Sequence, residues 1–154
     1  RVMWPKTSTP QPGCLNRSMF VGGVIVTTPQ QISLIDAEKG VKMFEQVKVP
    51  VLGVVENMSY FVCDGCDKKH YIFASGAGQQ LADQFKVPLL GEIPLISEVV
   101  SAGDSGLPIT ISHPDSPASQ AYRHLAGQVA AQISINQSQG AKKIGAGFEL
   151  AWKS

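Results

Sequence analysis

Charge of one sign is what this 154-residue sequence has least of in excess: 13 Lys and Arg stand against 12 Asp and Glu, a formal net charge of +1. Without a basic block, nucleic-acid binding through a positive face is disfavoured. Nor does a strong field of either sign steer a partner from a distance. Long apolar runs are missing as well. No stretch approaches the roughly 18–20 residues that would span a bilayer, so no membrane partner is expected. The first residues contain no apolar core followed by a small-residue cleavage site, so secretion is not expected either. Cysteine is scarce and odd in number, three in all. A disulfide framework is therefore not expected, and a reducing compartment, cytoplasm or organellar stroma or matrix, fits best.

What is present is enough for one core. Hydrophobic residues make up 44% of the sequence, with 15 Gly and 10 Pro, and the length is near the common domain size of about 100–150 residues. Residues 21–28 (VGGVIVTT) form a continuous apolar, β-branched run, as in a strand buried on both faces. Leu34, Ala37, Val41, Phe44 and Val47 then recur at helical spacing, opposite Asp36, Lys39, Lys42 and Glu45, which predicts a helix over 33–47. Residues 48–55 (KVPVLGVV) return to strand, and residues 56–76 are irregular. Ala77, Leu81, Ala82 and Phe85 mark a second helix with Ser75 as its expected N-cap. Residues 86–93 (KVPLLGEI) give a third strand, with the same KVP entry as the second. The last helix starts at Ser116 and Pro117, a cap followed by proline at the first helical position. Ala118, Ala121, Tyr122, Leu125, Val129 and Ile133 carry its apolar face.

Strands alternating with helices at this spacing predict an α/β fold with a parallel sheet and flanking helices. Three strands make only a partial sheet, because an all-parallel sheet needs cover on both faces. The expected division is an unmatched, disordered leader over 1–20, a folded part over 21–135 and a flexible tail over 136–154.

The strongest local chemistry is Cys63-Asp64-Gly65-Cys66. Two thiolates three positions apart can ligate one metal ion or one edge of a cluster, but a closed zinc or 4Fe–4S site needs four ligands. Two per chain point to a site shared between two copies. A redox dithiol, inert thiols, or a Cys₂His site that draws on His70 and Cys14 remain open alternatives. Glu56-Asn57-Met58-Ser59 stands at the end of a predicted strand, where ligands bind in open α/β sheets. The Asn57 amide can donate to and accept from an adenine edge there, or simply turn the chain. Solvated or locally bonded side chains are the default for His70, His113 and His124. Tyr60, Phe61 and Phe73 read as packing around the cysteines. No catalytic residue is assigned, and no G-x-x-x-x-G-K-[ST] phosphate loop occurs anywhere in the sequence.

VGGVIVTTPQ, then DAEKGVKMFEQVKVPVLGVVENMSYFVCDGC, GEIPL and DSGLP resemble the Mrp/ApbC group of iron–sulfur carriers over residues 21 to about 133. That group belongs to the MinD-like branch of P-loop NTPases. The resemblance implies the C-terminal half of that fold, and a homodimeric ATPase whose paired CxxC motifs bridge a 4Fe–4S cluster for delivery to apo iron–sulfur proteins. By position, Cys63 and Cys66 would be the cluster ligands, Asn57 would face the adenine of ATP, and Pro94 would line the base pocket. The family's phosphate loop, switch regions and magnesium-binding Asp precede the VIVTTPQ strand. Residues 1–20 match none of these, so hydrolysis of Mg-ATP by this polypeptide alone is not expected. The alternative reading is an inactive fragment with a structural zinc site, or one that docks on a full-length relative.

Overall fold

A computed structural model describes residues 21–145 except 64 and 67. The leader expected over 1–20, Cys14 and the last part of the expected tail lie outside the described residues. The elements run β1 (Gly23–Thr27), α1 (Gln31–Gln46), β2 (Val51–Asn57), β3 (Phe61–Val62), β4 (Lys69–His70) and α2 (Ala77–Phe85). They continue with β5 (Leu89–Ile93), α3 (Ser97–Asp104), α4 (Ile109–Ser112) and α5 (Pro117–Gly145).

Strands β1, β2 and β5 form one parallel sheet with β2 in the middle. On one face Ile25 and Val54 meet Leu34, Ala37 and Val41 of α1 and Leu81 and Ala82 of α2. On the other, Val55, Leu90 and Ile93 meet Ala121, Leu125 and Val129 of α5. Successive β2 side chains thus enter opposite cores, which explains why the run is apolar without alternation. The expected α/β fold with a parallel sheet and flanking helices is what forms.

The repeated KVP entry has a common structural cause. Lys48 and Lys86 both adopt left-handed backbone, at φ 57° and 54°. Behind them the Val49 N–H donates to the Phe44 carbonyl and the Val87 N–H to the Ala82 carbonyl, both at 3.0 Å. Each lysine therefore occupies the left-handed position that ends a helix, where glycine is the usual residue.

Several boundaries differ from expectation. β2 begins three residues later than expected, because 48–50 are spent on the helix ending, and it runs on through Glu56 and Asn57. Those two pair with Glu92 and Ile93 of β5. Ser75 does not cap α2: Gly76 holds the N-cap position with φ 80°, and no side chain caps from there. At α5 the cap is as expected, with Ser116 Oγ accepting from the Ser119 N–H at 3.2 Å. That helix continues to Gly145, so residues 136–145 of the expected flexible tail are helical. Once a helix is nucleated and docked, adding a residue needs no further apolar contact.

The β1 edge is the least covered part of the sheet. Among the described residues β1 pairs with β2 only, and Val26 is 60% exposed. Helix α5 lies mainly over β5 and β2. No helix among the described residues is long and apolar enough to cross a membrane.

Left-handed backbone costs a non-glycine residue about 1–2 kcal/mol, partly offset in a glycine variant by a freer unfolded chain. Lys48→Gly and Lys86→Gly are each expected to raise stability by about 0.5–1 kcal/mol in urea unfolding; a loss of stability in both would contradict the helix-ending geometry.

Candidate metal centre

The segment between β2 and α2 is not irregular throughout. β3 and β4 pair antiparallel, with Phe61 opposite His70 and Val62 opposite Lys69. The connecting turn is closed by the Cys63 N–H on the Lys68 carbonyl at 3.1 Å, and curls through the Cys66 N–H on the Cys63 carbonyl at 3.3 Å. This curl brings the two thiols to one side. The sulfurs of Cys63 and Cys66 and a ring nitrogen of His70 all lie within 4.8 Å of one another. Cys63 is half-buried, Cys66 and His70 are exposed, and the two cysteines are not disulfide-bonded.

The base of the hairpin is built from aromatic and backbone contacts. Tyr60 meets Tyr71 edge-on, with ring centres 6.3 Å apart, and Lys69 Nζ lies 4.1 Å from the Tyr60 ring centre. Each contact is of a type that adds on the order of 1 kcal/mol. The Ser59 N–H donates to the Ile93 carbonyl and the Leu95 N–H to the Tyr60 carbonyl, tying the hairpin to the end of β5. Beyond β4, Tyr71, Ile72 and Phe73 are all exposed. Phe73 is therefore not the packing residue expected from the sequence, because the chain after His70 runs along the surface.

Glu56 is the polar residue that sequence reasoning missed. It is 1% exposed, among the most buried side chains of the chain. One carboxylate oxygen accepts from Ser59 Oγ at 2.5 Å, and the other accepts from the Gly78 N–H in the first turn of α2. A negative group at a helix N-terminus gains from both the free N–H groups and the helix dipole. This carboxylate takes the role expected of Ser75. Gly78 makes it possible: a Cβ there would stand 2.8 Å from Glu56 Cβ. A lone Glu at the end of an apolar run carries no sequence signal that it is buried.

Asn57 and Pro94 come together at the C-terminal edge of the sheet. Asn57 pairs with Ile93, the residue before Pro94, and Pro94 is buried. Asn57 Oδ1 accepts from the Met58 N–H at 3.0 Å, supporting left-handed backbone at Met58. Its amide thus turns the chain in this state, one of the two roles left open by the sequence. The cleft of about 440 Å³ in the described residues lies elsewhere, against Val99, Leu107, Ile109 and Tyr122, and includes neither Asn57 nor Pro94.

His70 is brought to the cysteines by the hairpin pairing. The spacing C-x₂-C-x₃-H was visible in the sequence, but nothing there showed that the chain folds back between Cys66 and His70.

Comparison with known proteins then decides the family. The sequence model for ParA, described as NUBPL iron-transfer P-loop NTPase, matches residues 3–130. The chain belongs to this family. The match begins inside the 1–20 segment for which the sequence reading found no resemblance. An iron-sulfur cluster carrier protein of Escherichia coli is 49% identical over 112 residues, covering 73% of this chain and 30% of that protein. One of Deinococcus radiodurans is 47% identical over 131 residues, 85% of this chain and 37% of that protein. The iron-sulfur cluster transfer protein NUBPL of Dictyostelium discoideum is 40% identical over 119 residues, 77% and 37% of the two chains. The chain thus spans about a third of the length of these curated relatives.

Among solved structures, the cell division ATPase MinD of Pyrococcus furiosus superposes with TM-score 0.54 at 23% identity, over 70% of this chain and 41% of that one. The septum site-determining protein MinD of Pyrococcus horikoshii, complexed with Mg-ADP, gives TM-score 0.54 at 23% identity, over 73% and 42%. These likenesses show the fold, that of MinD-like P-loop NTPases.

The Glu56 bonds generate a stability prediction. Glu56→Ala is expected to cost about 2–3 kcal/mol, because a charge-assisted bond is lost and the α2 N–H is left buried. Ser59→Ala should cost about 1 kcal/mol. In a double-mutant cycle followed by urea unfolding, the double variant is expected to lose less than the sum. Strict additivity would contradict a shared network.

Proposed function

We propose that this chain carries an iron–sulfur cluster, holding a 4Fe–4S unit between the Cys63 and Cys66 pairs of two copies and passing it to apo iron–sulfur proteins. The observation that carries the reading is a pair of thiols on an exposed hairpin tip, in a member of the iron-transfer family. A 4Fe–4S cluster takes four thiolates, and one hairpin offers two. A two-fold dimer presents the same patch twice, so two hairpin tips supply the full set. The exposed Tyr71-Ile72-Phe73 run beside the hairpin gives such a contact apolar surface.

Exposure also suits delivery. In transfer, a recipient's thiolate binds iron as the donor's thiolate leaves it, which requires that the recipient reach the cluster. A cluster bound at Cys66 on the surface is open to a recipient's cysteines, whereas one sealed in the core would stay.

The nucleotide belongs to this proposal only in part. Asn57 would meet the adenine edge and Pro94 the base, both at the strand ends where α/β sheets bind ligands. For that, the Asn57 carbonyl would trade its bond to the Met58 N–H for one to the base. No phosphate loop occurs in the 154 residues. The groups here therefore serve the base and not the phosphates, whose positioning does most of the work of phosphoryl transfer.

Anaerobic reconstitution with iron and sulfide is expected to give a brown protein with broad visible absorption. Cys63→Ala and Cys66→Ala should each abolish the colour, and Cys14→Ala should leave it. Loss of colour in Cys14→Ala alone would overturn the shared-pair arrangement.

A further inference from the structure

The geometry points to a second metal state of the hairpin: we propose that Cys63, Cys66 and His70 of one chain together bind a single divalent transition ion, Zn²⁺ or Fe²⁺. The site rests on hairpin geometry alone and stands whether or not the thiols also take a cluster.

The register explains why His70 reaches the cysteines. Phe61 faces His70, and the ladder continues with Cys63 bonded to Lys68. Residues two apart on a strand share a face, so Cys63 and His70 are diagonal neighbours on one face of the pair. Diagonal side chains stand about 7–8 Å apart at the backbone and meet when long. The ligand atoms fall within 4.8 Å of one another. A tetrahedral ion with bonds of about 2.3 Å to sulfur and about 2.0–2.1 Å to imidazole separates its ligand atoms by about 3.5–3.8 Å. Side-chain rotation of about 1 Å closes the difference.

The state of the three histidines singles out His70. His113 Nδ1 lies 3.1 Å from Ser112 Oγ, and His124 Nε2 lies 3.4 Å from Gln128 Nε2. The His70 ring is exposed, and no side-chain hydrogen bond among the described residues holds it away from an ion. Two thiolates and an imidazole suit Zn²⁺ or Fe²⁺ better than Mg²⁺ or Ca²⁺, which take oxygen ligands. Three protein ligands leave the fourth position of a tetrahedral ion open, the arrangement of exchangeable rather than closed sites. Two thiolates also neutralise the dication. A hairpin holding one ion this way competes with cluster loading, because the same two sulfurs serve both.

Cobalt(II) tests the site on the reduced 154-residue chain without oxygen. Sulfur-to-cobalt charge transfer reports thiolate ligation, and intense visible d–d bands report tetrahedral geometry. Saturation is expected at one Co²⁺ per chain with the chain still monomeric in sedimentation. His70→Ala and His70→Gln should each weaken binding about tenfold or more, the scale on which even hydrogen-bond partners of metal ligands act. Both should shift the d–d bands while the charge-transfer band remains. His70 is exposed, so circular dichroism of both variants should match the parent. One Co²⁺ per two chains, with affinity and spectrum unchanged in both variants, overturns the proposal. Failure of cluster reconstitution with cobalt bound as described would sink only the carrier reading. A cluster that forms while cobalt binding ignores His70 would sink only this one.

Discussion

The segment carrying the cysteines leaves the sheet after β2 and returns at α2, and one buried carboxylate sits at both ends of that excursion. Glu56 is the next-to-last residue of β2, and its side chain holds Ser59 on the way out and the Gly78 N–H on the way back, 22 residues later. Closing a loop of that length costs entropy, and a charge-assisted bond inside a low-dielectric core is strong enough to hold it closed. The two ends of the excursion that carries the hairpin are joined through this one buried side chain. It also explains the Gly78 position, since a side chain there would displace the carboxylate.

From that anchor the functional groups divide into two sets. Asn57 ends β2, the middle strand, and Pro94 directly follows its neighbour β5. Cys63, Cys66 and His70 sit on a two-stranded hairpin held at its base by Tyr60, Tyr71 and Lys69. A two-stranded hairpin alone is marginal in water, and its backbone bonds to Ile93 and from Leu95 fasten it to the sheet. Both sets belong to one connected stretch around the end of β5. Asn57 and the hairpin that carries the cysteines are thereby linked through Met58 and Ser59.

Much of this was legible in the residues. The apolar runs at 21–28 and 86–93 contain β1 and β5, and the stripe from Leu34 to Phe44 lies on α1, because an unbroken β-branched run and a helical spacing are both visible in sequence. The CxxC spacing likewise marked Cys63 and Cys66 as a pair, and the two sulfurs do lie close together. The hairpin was not legible, because strands of two residues carry no alternation and a six-residue turn lacks the short-loop signal. The approach of His70 to the cysteines was hidden with it. Ser75 was the wrong cap for α2 because the true partner is Glu56, remote in sequence and unmarked by composition. At the other end, α5 outruns its apolar stripe, so periodicity stopped short of Gly145.

The account's central claim is that one hairpin offers half of a cluster site and a second copy supplies the rest. Native mass spectrometry of the chain reconstituted without oxygen tests this most directly, since it weighs chain, iron and sulfide together. The predicted species has the mass of two chains plus one unit of four irons and four sulfides, with no cluster on the monomer. A complete 4Fe–4S unit retained by a single chain would contradict the account.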